Sequence, residues 1–559
     1  MKKIGLLICS LMLVCASSLF TFSDASRFDQ ATQTAEGERS EQYRPRSRVY
    51  FGDEFEESSF SDESIDINYD ALPRLSIDND MASRGTKTFH VNDKDVKVDI
   101  YYRDAKEAAN NPNVGYGILL YNAIRYKQLH PTEPVDIVCT SYHLSASLAV
   151  NLNANGRYFG YMRSLMDRDY DEFGFVRIAF MLVEAARMGC HVTVVGQIVG
   201  ARTYQWDKAQ NKRYYTPDVD FRTYFNSATK LMCYDEFDQG AKITKYLNYK
   251  HCAWDASNKG TTDMQHIKAL TVSKYVDFSG NEYEYGVWVG STNLDPINYN
   301  GQNGNNGSQS GFIVTNHKEI YYSIYNTVNS YLVDYCAQEA AVRFRNKFCQ
   351  ENKRQLDILL GGGSISDEER IAYLGSEKDP IFKLVMSPMV DPVGAWNPKY
   401  NLFCRMMKDF NKTDDYVLFA WNNSNYSTGS SFFVNGFETI FNNVLHRVKD
   451  SRNRVYTHLA GLDTTAFDDL VVGVDLGYKS INTNMNLYVH SKDTLCSYSL
   501  NGVRHYASYL TSCTFHDGAF WYQTNSSILI DEVDDGSSGF YENSLFSKFG
   551  RISTYGCID

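Results

Sequence analysis

His266-Ile267-Lys268, followed by Gly290-Ser291-Thr292-Asn293, and His490-Ser491-Lys492, followed by Tyr522-Gln523-Thr524-Asn525, decide how this 559-residue chain is read. They contain the only two H-x-K triplets in the sequence. On a β-strand, period-2 alternation points the His and Lys of a triplet at one face, so each string offers an imidazole beside a cation. With 12 histidines in the chain, chance alone supplies about one such triplet, so the weight falls on the surroundings. Asn293 lies 25 positions beyond Lys268 and Asn525 lies 33 beyond Lys492. Each interval holds a turn and a returning strand, which brings each Asn back beside its own His and Lys.

Working outward, the flanks repeat in order. Tyr116 to Leu129 reads as a helix and Val135-Asp136-Ile137-Val138-Cys139-Thr140 as a strand. Phe175 to Met188 reads as an amphipathic helix stopped by Gly189, and His191-Val192-Thr193-Val194-Val195 as the next strand. Gly286-Val287-Trp288-Val289 is a strand between the first triplet and its Asn. In the second half the matching pieces are a strand at Tyr416-Val417-Leu418-Phe419-Ala420, a helix from Gly436 to Val448, and a strand at Arg454-Val455-Tyr456-Thr457-His458-Leu459. Met485 to Val489 then runs into His490, and Ala519-Phe520-Trp521-Tyr522 runs into Gln523-Thr524-Asn525. Two α/β modules are expected, at residues 96–315 and 401–559, with helices crossing over between strands. Residues 316–400 form the connection. Glu319 to Leu360 is helix-compatible there, and Gly361-Gly362-Gly363-Ser364 stops the helix and starts a flexible link.

Composition frames these modules. An apolar share of 43% is ample for a core. Met1-Lys2-Lys3 followed by an apolar run from Ile4 to Phe22 fits a secretory signal over residues 1–25, with an uncleaved signal anchor as the alternative. Residues 26–95 are polar and acidic and read as a disordered leader; ten acids against Arg74 alone give −9 between residues 51 and 80, out of a formal −12 for the chain. The near-neutral body does not announce nucleic acid as a partner, nor does it exclude a locally basic cleft. One segment, Arg202-Thr203-Tyr204-Gln205-Trp206 through Lys212-Arg213-Tyr214-Tyr215, mixes bases with rings, as a groove lining or an exposed loop insertion would. Ten cysteines follow the signal, an even number in an exported chain, so several disulfides are expected. No C-x-x-C pair occurs, which argues against a zinc site. Asn306, Asn411, Asn422, Asn425 and Asn525 each begin a glycosylation sequon.

The paired H-x-K and Gly-Ser-x-Asn strings resemble the phospholipase D superfamily, whose signature normally occurs twice in one chain. The resemblance covers roughly residues 96 to 315 and 401 to 535, with a close first copy and a degenerate second, where Tyr522-Gln523-Thr524-Asn525 stands in place of Gly-Ser-x-Asn. Both copies lack the family's acid five positions after Lys, having Ser273 and Ser497 instead, and Asp277 is a local substitute in the first. The resemblance implies duplicated α/β/α sandwich modules packed as a pseudo-dimer, no metal and no cofactor. It also favours His266 as nucleophile and His490 as acid.

The chemistry is coherent on physical grounds. A phosphodiester repels nucleophiles, so a site needs cations and fixed donors around phosphorus. Lys268 and Lys492 supply charge, and Asn293, Asn525, Ser291 and Thr524 supply hydrogen bonds, with Asp295 beside them. One neutral imidazole attacks phosphorus while a second, protonated one serves the leaving oxygen. The leading expectation is a secreted, metal-independent phosphodiesterase acting on phospholipid head groups, with a membrane surface as candidate partner. A secreted or lysosomal nuclease acting on single-stranded nucleic acid is the alternative. A decayed protein that only binds phosphate is the second alternative.

Overall fold

The computed structural model describes residues 85–103, 112–142, 144, 149–151, 175–197, 202–207, 212–217, 245–252, 265–277, 279–294, 306–334, 338–388, 397, 399–408, 416–422, 454–460, 487–489, 491–513 and 523–534. The signal, most of the acidic leader, the expected helix at 436–448 and the expected strand at 519–522 lie outside these residues.

The described chain is mixed α/β. In chain order it runs through β1 (Gly85–Val91), β2 (Lys94–Arg103), α1 (Pro112–Leu129), β3 (Asp136–Ser141), β4 (Ala149–Asn151), β5 (Phe175–Arg177), α2 (Ile178–Arg187) and β6 (His191–Gln197). It continues with β7 (Arg202–Asp207), β8 (Lys212–Pro217), β9 (Leu247–Cys252), β10 (Ala269–Val276), β11 (Glu282–Gly290), β12 (Asn306–Thr315), α3 (Lys318–Asn326) and α4 (Gln338–Leu360). The rest comprises β13 (Phe382–Ser387), α5 (Leu402–Lys408), β14 (Tyr416–Asn422), β15 (Arg454–Ala460), β16 (Leu487–Val489), β17 (Lys492–Leu500), β18 (Val503–Thr511) and β19 (Asn525–Val533).

Two large sheets share one strand order. The first contains β2-β12-β11-β10-β3-β6, extended by β1 and β9 at its edges, and the second is β13-β19-β18-β17-β14-β15. In both, the first four pairings are antiparallel and the last is parallel. Alternation explains the layering. On β11, Trp288 faces α1 and α2 in one apolar cluster, whereas Val287 and Val289 face the other side, where α3 and residues of the second sheet such as Leu495, Leu510 and Ile528 complete a second cluster. Each fully buried side chain of this size contributes roughly 1.5–3 kcal/mol.

Several expectations shift. Within the range 26–95 read as leader, the alternation from Thr86 to Val91 leads to the start of structure at Gly85, where Phe89, Val91 and Val96 point inward and β1–β2 is a paired hairpin. The helix expected from Phe175 begins at Ile178, after Phe175–Arg177 has paired with Ala149–Asn151 as a strand. Gly361–Gly363 does cap α4, with Gly363 N–H donating to Ile358 O (2.9 Å) and Gly362 at φ +78°. The chain beyond this cap is no flexible link: Ile371, Tyr373 and Phe382 are core residues, and β13 is a strand of the second sheet. His317 anchors this segment, accepting Ile320 N–H on Nδ1 while Nε2 donates to buried Asp379 (3.0 Å). Six of the ten cysteines expected to supply several disulfides form none. Cys139, Cys190, Cys349, Cys404, Cys496 and Cys513 are all buried and unbridged.

Candidate functional site

Both triplets stand at the entry of equivalent strands. Lys268 directly precedes β10 and Lys492 opens β17. Gly290 N–H donates to Lys268 O (3.2 Å), closing the β10–β11 pair at the Gly-Ser-Thr-Asn string. Ser291 N–H then donates to Ser310 O (2.9 Å) while Ser291 Oγ accepts Ser310 N–H (3.0 Å). The second half repeats this reciprocal clasp with Ser512 and Ser526: Ser512 N–H donates to Ser526 O (3.0 Å) and Ser512 Oγ accepts Ser526 N–H (3.0 Å).

That clasp fixes the correspondence between halves. Registers pair Ala269 with Val289 and Asp493 with Leu510, so Thr511-Ser512-Cys513 occupies the place of Gly290-Ser291-Thr292, and Thr514, which lies outside the described residues, follows at the position of Asn293. Asn525 corresponds instead to Gln309 on β12. The sequence reading placed Asn525 as the second Gly-Ser-x-Asn asparagine, and the register moves it to the next strand. The substitution has a packing reason. A Cβ on Gly290 would meet Trp288 Cη2 at 2.6 Å, and one on Gly311 would meet Trp288 Nε1 at 2.9 Å. In the second half Tyr509 replaces Trp288. Its smaller ring leaves room for Thr511 and Ser527, and its hydroxyl donates to Ser527 Oγ (3.0 Å).

Asn525 does come to the first triplet. His266 N–H donates to Thr524 O (2.8 Å), and His266 Nδ1 lies 2.9 Å from Asn525 Oδ1. Asn525 Nδ2 donates to Gln523 O (3.4 Å) and Ser512 Oγ donates to Asn525 Oδ1 (3.2 Å), which orients the amide with its oxygen toward the imidazole. An amide oxygen only accepts, so Nδ1 carries a proton, and in the neutral imidazole the lone pair then lies on Nε2. The bridge of Gln265 to Thr524 has a counterpart where β16, ending one residue before His490, pairs in parallel with the start of β12, Val489 opposite Ser308. His490 and Asp295 themselves lie outside the described residues.

Both lysines are fully buried. Lys268 Nζ donates to His266 O (3.0 Å) and lies 5.7 Å from the centre of the Tyr142 ring, which packs T-shaped with the His266 ring at 5.1 Å between centroids. Loss of hydration pulls Lys492 down to about 7, opposed by Asp493 and Cys513. Burial pushes the Cys513 thiol well above its usual range, while Lys492 and then Lys268 pull it back, so both ammonium groups act on one spot. Asp493 accepts from Ser310 Oγ (2.5 Å), a further tie between the halves. Ser291, Thr292 and Asn293 are buried beside the first triplet.

The expected structural acids resolve simply. Ser273 Oγ accepts Asp136 N–H (2.8 Å) at the start of β3, and Asp277 organises the β10–β11 turn by accepting from Ser279, Asn281 and Tyr283. The sequence reading missed Tyr142, Ser512, Cys513 and Gln309. Tyr142 carried no signal in the sequence, and the other three were hidden by the change of motif residues. Asn525 is fully buried and hydrogen-bonded, so its sequon is closed to glycosylation in the folded chain. Among the described residues, no group of three or more His, Cys, Asp or Glu is arranged to hold a metal, and no helix is long and apolar enough to cross a membrane.

No family model and no curated protein matches the chain. Solved structures do. Phosphatidylserine synthase from Haemophilus influenzae Rd KW20 aligns with 10% identity over 81% of this chain and 93% of its own, at a TM-score of 0.39. Yeast tyrosyl-DNA phosphodiesterase aligns with 12% identity over 80% of this chain and 91% of its own, at 0.34. Polyphosphate kinase from Porphyromonas gingivalis aligns with 9% identity over 83% of this chain, at 0.34, and the match spans half of that enzyme's length. Likeness at this level leaves the chemistry to be read from the residues.

Proposed function

We propose that this chain is a phosphodiesterase of the phospholipase D type, in which two pseudo-symmetric halves build one site and His266 forms a phosphohistidine. The observation that carries the reading is the bond across the halves from His266 Nδ1 to Asn525 Oδ1, which leaves Nε2 as the nucleophilic nitrogen. Nε2 forms a bond to phosphorus as the bond to the leaving oxygen breaks, and the His490 imidazolium donates its proton to that oxygen. His490 then removes a proton from water, whose oxygen attacks phosphorus and releases His266. The products are a phosphomonoester and an alcohol. Lys268 and Lys492 balance the charge that develops on the phosphoryl oxygens, and Asn293, Ser291 and Thr524 surround it with donors. Lys492, pulled down to about 7, regains its proton when an anionic phosphate arrives.

Phospholipids and nucleic acids both present the bond this site would cleave. The apolar run from Ile4 to Phe22 supports a lumenal or extracellular place of action. The test is hydrolysis of bis(4-nitrophenyl) phosphate, phosphatidylcholine and single-stranded DNA from about pH 4.5 to 8, the range in which imidazoles exchange roles. His266→Ala and His490→Ala are each expected to abolish turnover, and a chelator to leave the rate unchanged. Retained turnover in His266→Ala refutes the mechanism. Phosphate binding without turnover by the parent protein would instead select the decayed, binding-only reading.

A further inference from the structure

The side of the first sheet that carries Lys268 also carries Thr292. Ile267 and Ala269 belong to the apolar cluster of Val287 and Val289, whereas Leu270 belongs to the cluster of Trp288 on the other side. Successive side chains alternate, so Lys268 is on the Trp288 side. Gly290 N–H donates to Lys268 O (3.2 Å), which sets Gly290 opposite the lysine. Thr292 stands two positions farther on, and after two more Leu294 rejoins the Trp288 cluster. Thr292 therefore shares the lysine's face, one pleat closer to the H-x-K end of the sheet.

Its hydroxyl meets no acceptor there. Gly290 and Gly311 pair without side chains, and the Trp288 ring lies across both, since a Cβ on either would collide with it. Thr292 and Trp288 are fully buried, and neither Thr292 Oγ1 nor Trp288 Nε1 has a hydrogen-bond partner among the described residues. Ser291, one position earlier, already sends its proton to Gln309 Oε1 (3.0 Å). The second half differs. Tyr509 stands in the place of Trp288 and its hydroxyl donates to Ser527 Oγ (3.0 Å), while Cys513 takes the place of Thr292. Burial raises the Cys513 thiol, and Lys492 and then Lys268 lower it, so this position in a half stands near both cations.

We propose that Thr292 binds the phosphoryl group directly, its Oγ1 donating to a non-bridging oxygen of the diester on the face that carries Lys268; this rests on the phosphodiesterase reading above. Such an oxygen is anionic and a strong acceptor, which is the chemistry that the unpartnered donors of this face lack. A buried hydroxyl without a partner destabilises the free protein, and the same hydroxyl is satisfied when the phosphate arrives. The two halves then hold the phosphoryl group unequally, with a hydroxyl on one side and a thiol, a weak donor, at the matching place on the other.

The test titrates inorganic phosphate calorimetrically into the full chain and into its Thr292→Val and Thr292→Ser variants, with melting temperatures and kcat/KM on bis(4-nitrophenyl) phosphate alongside. Thr292→Val keeps the shape and removes the donor. It is expected to bind phosphate roughly ten- to a hundredfold more weakly and to lose a similar factor in kcat/KM. It should also melt at or above the parent, because a methyl replaces an unpaired buried hydroxyl. Thr292→Ser should bind phosphate as the parent does. Parent-like phosphate binding by Thr292→Val overturns the proposal and leaves the hydroxyl to a buried water. Melting of Thr292→Val well below the parent overturns it as well, since the hydroxyl would then be bonded within the fold. Equal weakening in Thr292→Ser does the same by assigning the effect to the methyl group, and so does a parent protein that binds no phosphate. Turnover of the small diester by the parent is read separately. Its absence with phosphate binding that depends on Thr292 sinks only the hydrolytic reading, and its presence with binding indifferent to that residue sinks only this one.

Discussion

Replacing Lys492 by Met is expected to stabilise the fold at acid and neutral pH while removing a cation that the site requires. Lys492 is fully buried, and lost hydration pulls it from 10.5 down to about 7, with Asp493 and Cys513 acting the other way. Below pH 7 the folded and unfolded chains both hold the proton, so the whole cost of burying the cation is present. Between pH 7 and 10.5 only the unfolded chain holds it, and the unfolding free energy rises with pH by about 1.4 kcal/mol per unit. Across that window the rise is roughly 5 kcal/mol. Met has similar length and none of this dependence. Urea titrations of both proteins at about pH 6, 8 and 9.5 should show Lys492→Met ahead by roughly 3–5 kcal/mol at the lowest pH, with the gap closing as pH rises. Parallel stability curves, or a less stable variant at pH 6, would refute the reasoning that a desolvated cation is stored there for substrate.

The same geometry sets further outcomes. Asn525→Asp places a carboxylate where an amide now accepts from His266, so the acid limb of the kcat/KM profile should move up by about 1–3 pH units; an unmoved limb would mean that Asn525 does not orient the nucleophile. Tyr509→Trp should cost about 1–3 kcal/mol by crowding Thr511 and Ser527, and adding Thr511→Gly and Ser527→Gly should return most of it, which a triple-mutant melting series reads directly. Tyr142→Leu should lower turnover of the small diester and Tyr142→Phe should retain it, because the ring face beside Lys268 and His266 is what is lost; equal loss in both would place the role on the hydroxyl. Ser310→Ala removes the donor to Asp493 across the halves and should destabilise the chain by about 1–3 kcal/mol in urea titration. Thiol titration after denaturation without reductant should find at least the six thiols of Cys139, Cys190, Cys349, Cys404, Cys496 and Cys513.

Most of the order of elements along the chain was legible because β3, β6, β11, β14 and β15 are apolar runs bounded by turn residues, whereas their order within each sheet was not. The first Gly-Ser-Thr-Asn was legible for the same reason. The second was not. Its glycine in the first half makes room for Trp288 and the Ser310 carbonyl, and where Tyr509 stands in place of Trp288 the residue types that mark the motif change together. The eye then falls on Thr524-Asn525, which lies on the wrong strand for that role yet reaches the first histidine from across the molecule. Likewise Phe382 to Ser387 falls in the stretch read as a connection, and only the bridge of Leu384 to Tyr373 and the pairing of β13 with β19 make it the edge of the second sheet. An even number of cysteines after an apolar leader suggests staples, but six of these sulfurs are unbridged and buried.

The contacts that hold His266 in place come from residues 258 and 259 positions later in the chain. A ribosome makes His266 long before it makes Thr524 and Asn525. Until β19 has been synthesised and has folded against the first half, the imidazole has neither its backbone anchor nor the acceptor that fixes its tautomer. The order of synthesis thus acts as a safety catch. On the phosphodiesterase reading proposed above, a chain truncated before residue 523 would hold no competent centre.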